Sequence, residues 1–140
     1  MRFWDSSALV PLFVAQQRTS ELRALHGRDP EVLAWVLSDV EIASALHRME
    51  REGAMERSAV DEAFAQLALF LNAAHVIGLS EEVLRRARRL LAVHPLRAAD
   101  ALQLAAALVA VRDAARGLAF VCLDDRLGAA ARREGFTLLP

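Results

Sequence analysis

Four short apolar runs punctuate this chain, and each passes into a stretch with helical spacing. They are "MRFWD" at the N-terminus, "VLAWVL" at 32–37, "HVIGL" at 75–79 and "LAFVCL" at 118–123. Continuous apolar runs of this length suit strands covered on both faces. Between them, "SDVEIASALHRMEREG" sets Ser38 and Glu41 at the spacing of a capping box and ends at Gly53. Val60, Phe64, Leu67, Ala68 and Leu71 then fall on one helical stripe, with Ser58 and Asp61 near its start. "SEEVLRRARRLL" at 80–91 and the segment after Pro95 predict two further helices. A last helix runs from about Asp125 to Arg133 and stops before Gly135, after which "FTLLP" reads as an edge strand. Strands alternating with helices predict a parallel sheet with helices on both faces, an α/β fold. No repeat, linker or low-complexity stretch divides residues 1–140, so one domain is expected.

Composition narrows the chemistry. The chain of 140 residues is 55% hydrophobic with a mean hydropathy of +0.25, as suits a buried sheet or an oligomer interface. No apolar run reaches membrane-spanning length, and Asp5 comes too early for a signal peptide, so a cytoplasmic protein is expected. All 17 basic residues are arginine. Without lysine there is no Walker A loop and no Schiff-base enzyme. The single cysteine, Cys122, excludes an internal disulfide framework and a cysteine-based zinc cage. A net charge of −1 argues against an extended basic surface for duplex DNA.

The acids are more informative. In a parallel α/β fold, ligands bind beyond the carboxyl ends of the strands, where the next helices start. Asp5 ends the first predicted strand, Glu41 falls in the first turn after the second, Asp100 lies in or near the first turn of its helix, and Asp124 ends the fourth strand. Each has a simple explanation. Asp5 and Asp124 suit helix N-caps, Glu41 completes a capping box with Ser38, and Asp100 pairs with Arg97 or favours the helix dipole. Four carboxylates gathered at one edge repel, however, and a hard divalent cation with oxygen ligands, Mg²⁺ or Mn²⁺, is the natural guest of such a cluster. That donor set points to phosphodiester hydrolysis by metal-activated water. No Ser–His or Cys–His arrangement competes with it.

Other features have plainer readings. Arg85, Arg86, Arg88 and Arg89 read as a solvated helix face with Glu81–Arg85 and Glu82–Arg86 pairs, in preference to a grip on phosphates or an acidic partner segment. His26, His47, His75 and His94 lack ligand spacing, and Trp4 and Trp35 belong to predicted strands and hence to the core.

Four segments, "FWDSSALV", "DVEIASAL", "LRAADALQLAAAL" and "FVCLDDRLGAAARREGF", resemble in order and spacing the four motifs of the PIN-domain family, and most closely its VapC-type toxins. The resemblance implies a five-stranded parallel sheet between helices and an Mg²⁺- or Mn²⁺-dependent endoribonuclease, the toxin of a type II toxin–antitoxin module. It implies Asp5, Glu41, Asp100 and Asp124 as the catalytic, metal-holding acids, with Ser7 and Arg97 as substrate-binding residues. It also implies a homodimer and a small antitoxin that blocks the site. Cys122 departs from the threonine or serine usual two residues before the last acid, Pro11 replaces a common lysine, and Asp125 offers a second acid beside Asp124. The alternatives are a housekeeping RNA-processing nuclease of the same fold and a non-catalytic PIN-like binding module. Phosphoacceptor and dehalogenase-like domains also use an aspartate after strand one, but the absence of lysine counts against both.

Overall fold

Phe3 and Trp4 are neighbours that point to opposite faces of a strand, and both are completely buried. The computed structural model, which describes residues 1–112, 115 and 117–140, builds its sheet around them. In chain order its elements are β1 (Arg2–Trp4), α1 (Ser6–Phe13), α2 (Thr19–Arg28), β2 (Val32–Trp35), α3 (Ser38–Arg51) and α4 (Arg57–Ala73). There follow β3 (His75–Ile77), α5 (Glu81–Val93), α6 (Ala98–Ala110), β4 (Ala119–Val121), α7 (Asp125–Arg133) and β5 (Thr137–Leu139). The five strands are parallel in the order β3-β2-β1-β4-β5, as the alternation predicts.

Strand periodicity sorts the core into two layers. Phe3, Leu33, Trp35 and Phe120 pack with α5, α6 and α7 on one face. Trp4, Val32, Ala34 and Val121 pack with the first four helices on the other. Register aligns Phe3 with Leu33 on one side and Phe120 on the other, and the rings of Phe3 and Phe120 stack with centroids 5.1 Å apart. Each such side chain contributes roughly 1.5–3 kcal/mol by leaving water. Both tryptophans are core residues, as expected.

Only the inner strands are covered on both faces. β3 exposes His75 and Val76, because it lies at the sheet edge. The stripe of α4 also shifts: Val60, Ala63 and Leu67 are buried, Phe64 and Leu71 are half-buried, and Ala68 faces solvent.

The strand order decides where a site can form. The chain grows from β1 to β3 on one side, then crosses back to add β4 and β5 on the other. That reversal leaves a switch point at the carboxyl ends of β1 and β4, bordered by Asp5 and by Cys122–Asp124.

Candidate active site

Asp5 follows the last residue of β1. Its N–H donates to the Val121 carbonyl at 3.0 Å, which continues the pairing with β4, and its carboxylate caps α1 by accepting the Ser7 N–H at 3.0 Å. The same oxygen accepts the Ser7 hydroxyl and lies 3.6 Å from the Cys122 thiol. Ser7 in turn accepts the Leu123 N–H at 2.9 Å, which ties the start of α1 to the end of β4. Burial pushes Asp5 up to about 6, with the hydrogen bonds from Ser7 opposing and the nearby Glu41 charge adding to the rise. Among the described residues no cationic side chain touches this carboxylate.

Glu41 meets it from α3. The helix is capped by Leu37 without a side-chain bond, and the expected Ser38–Glu41 capping box does not form. Counted from Leu37, Glu41 lies one residue beyond the position from which a capping-box carboxylate reaches back. Instead its carboxylate accepts the Ser6 hydroxyl and, at 2.7 Å, the Gln103 amide. Gln103 is 1% exposed and also donates to Ser6 at 2.6 Å, with a longer contact to the buried Ser38 hydroxyl at 3.3 Å. Among the described residues its buried carbonyl oxygen has no partner. Gln103 therefore joins α1, α3 and α6. Sequence reading overlooked it, although one signal was there: an amide one turn after Asp100 amid alanines and leucines that are otherwise buried.

Asp100 and Asp124 are held differently. Asp100, half-buried in the first turn of α6, accepts the backbone N–H of Arg97 at 3.1 Å, so the expected pairing is with the main chain and not with the guanidinium. Asp124 caps α7 by accepting the Leu127 N–H at 2.8 Å. Asp125, the first residue of that helix, is exposed. Cys122 accepts the Asp124 N–H at 3.3 Å, so the thiol links Asp124's backbone to Asp5's carboxylate. Burial, followed by the Asp5 charge, pushes this thiol above its ordinary range. Arg97 precedes α6 and is exposed.

Among the described residues the four acids do not form one hydrogen-bonded network. Asp5 is held by Ser7 and lies beside Cys122, whose sulfur also accepts the Asp124 N–H. Glu41 is held by Ser6 and Gln103 and acts on Asp5 through its charge. Among the described residues no group of three His, Cys, Asp or Glu side chains stands ready to hold a metal ion. The donor chemistry nevertheless fits a hard divalent cation. The carboxylates of Asp5 and Glu41 and the hydroxyls of Ser6 and Ser7 are oxygen donors, and Asp5 is a buried acid with no positive partner among the described residues. A cavity of about 440 Å³ opens beside the network, lined in part by Ser6, Ser7 and Glu41.

Arg85, Arg88 and Arg89 on α5 face solvent as expected, whereas Arg86 is half-buried, and one expected pair changes partner. Glu82 pairs with both Arg85 and Arg86, while Arg89 pairs with Glu134, which also holds the buried His94. His26 packs edge-on against Trp4 and His47 contacts Glu50, so neither ring belongs to the network around Asp5.

Comparison with known proteins settles the family. A PIN domain family model matches residues 2–133. The chain belongs to the PIN domain family. Three solved structures share its fold. FitAcB from Neisseria gonorrhoeae aligns at a TM-score of 0.74 and 13% identity, covering 100% of this chain and 97% of that one. VapC20 from Mycobacterium tuberculosis, a toxin that cleaves the sarcin–ricin loop, aligns at 0.69 and 21% identity, covering 98% and 97%. A toxin–antitoxin complex from Klebsiella pneumoniae aligns at 0.65 and 16% identity, covering 92% and 91%. Among curated protein sequences none matches significantly. Within this PIN domain, no helix among the described residues is long and apolar enough to cross a membrane.

Proposed function

We propose that this PIN domain is a divalent-metal-dependent endoribonuclease and the toxin of a type II toxin–antitoxin pair. The observation that carries the reading is Asp5, a buried carboxylate with no cationic side-chain partner among the described residues, fixed at the switch point beside Glu41. Asp5 and Glu41 would hold Mg²⁺ or Mn²⁺, with Asp100 and Asp124 completing the acidic edge. When bound, such a cation activates water and stabilises the charge that develops on phosphoryl oxygens. The chain's own residues prepare this. Ser7 holds Asp5 in one orientation, Ser6 and Gln103 hold Glu41, and the exposed Arg97 is available to a substrate phosphate. The partners in this reading are RNA, a small antitoxin and a second copy of the chain, in the cytoplasm. The antitoxin is supported by the toxin–antitoxin complex among the similar folds.

The test is cleavage of total RNA by the purified protein with Mn²⁺, wild type against Asp5→Asn. The expected loss is on the order of 10³-fold or more, with folding retained. Equal cleavage by the two proteins would sink the site assignment. Absence of cleavage in the wild type would favour a non-catalytic binding module.

A further inference from the structure

We propose that the cavity beside Glu41 is a subsite for one nucleotide of single-stranded RNA, with Arg48 as its phosphate clamp. The proposal deepens the ribonuclease reading and rests on it for the identity of the ligand. At about 440 Å³ the cavity is within the range of small-ligand pockets. One wall is a single face of α3. Glu41, Ser44 and Arg48 stand at i, i+3 and i+7, so Arg48 lies two turns, about 10.5 Å of helix rise, from Glu41. Gln16 and Met49 form another wall, in contact through the Gln16 amide and the Met49 sulfur at 3.8 Å, and Leu123 closes the side next to β4.

Arg48 is exposed, and no hydrogen bond or ion pair engages its guanidinium among the described residues. Arg57, Arg85 and Arg89 are held by carboxylates. A free guanidinium presents a planar fork of donors that matches two phosphate oxygens, and the exposed Ser44 hydroxyl adds a neutral donor one turn nearer Glu41. Met49 and Leu123 supply apolar surface for a base or ribose, which a duplex would keep stacked and out of reach.

The experiment is binding of a labelled single-stranded RNA oligonucleotide to the full chain carrying Asp5→Asn, followed by fluorescence anisotropy across a salt series. Adding Arg48→Gln should weaken binding about 10-fold and lower the magnitude of the salt slope by about 0.7. Arg88→Gln, on the exposed face of α5, should change neither. Unchanged affinity and slope in Arg48→Gln would overturn the subsite, as would a larger loss from Arg88→Gln. Cleavage assays separate the two readings. Arg48-dependent binding without cleavage by the wild type keeps the subsite and removes the nuclease. Asp5-dependent cleavage with unchanged binding in Arg48→Gln does the reverse. A protein that binds no RNA overturns both.

Discussion

Two pairs of acids sit at helix starts, yet their surroundings differ in kind. Glu41 is bound by Ser6 and Gln103 from two other helices, and Asp5, besides capping α1 through Ser7, has Cys122 beside it from the end of β4. Asp100 and Asp124 are bound by backbone N–H groups within three residues of themselves. The first pair depends on tertiary structure, and the second serves its own helices whether or not a ligand arrives. A carboxylate bound only by its own helix's N–H groups is thus weak grounds for a functional site, whereas one that also draws side chains from other elements is strong grounds.

The contrast can be broken by experiment, and the largest effect belongs to Asp5. Its folded value of about 6 lies above the ordinary 3.8, so the native chain holds this proton more tightly than the unfolded one. Its contribution to stability is fully present below pH 3.8 and is lost as pH rises through about 6. The difference amounts to roughly 3 kcal/mol. In metal-free buffer, the wild type should lose stability relative to Asp5→Asn between about pH 4 and pH 7, measured by urea midpoints at each pH. Mn²⁺ should restore it at pH 7 in the wild type and have no effect in the variant. Parallel pH curves for the two proteins would remove Asp5 from the reading.

Gln103→Leu comes next. It deletes the donor shared by Ser6, Ser38 and Glu41 and should destabilise the fold by about 1–3 kcal/mol. If the nuclease reading holds, cleavage should drop about 10–100-fold, the usual range for a residue that orients a ligand. A double-mutant cycle of Gln103→Leu with Glu41→Gln should show coupling, while Asp124→Ala with Glu41→Gln should be additive. Additivity in both cycles would mean that the network is no unit.

Asp124→Ala removes a cap and should lower stability by about 1 kcal/mol, a few degrees in melting temperature. The smallest effect belongs to Arg85→Ala on the solvated face of α5, where no measurable change in melting temperature is expected. A large change there would show that the surface pairs matter more than the buried network does.

Much of the fold was legible because it depends on local patterning. Four apolar runs and the terminal "FTLLP" contain the five strands, and Gly135, with φ +99°, ends α7 in the left-handed conformation that favours glycine. What local patterning misjudged was set by neighbours. His75 and Val76 read as a covered strand but lie at the edge, and Ala68 yields its place in the core to Ala63. At the site, Asp5 was legible as the end of a strand, whereas Gln103 reads as one polar residue in an apolar helix. Nothing near it in sequence shows that Ser6, Ser38 and Glu41 converge on it.

The sequence by itself determined the alternation of strand and helix, the two-sided apolar core, and the placement of four acids where strands end and helices begin. These follow from side-chain periodicity and from the chemistry of helix starts, which act over a few residues. Only the tertiary structure decided which acids face one another. Strand order 3-2-1-4-5 places β4 beside β1 and so sets Cys122 next to Asp5, 117 residues away along the chain. Packing of α6 carries Gln103 to Glu41, 62 residues away. Partnerships over such distances depend on how whole elements pack, because a carboxylate's charge and orientation answer to what surrounds it in space.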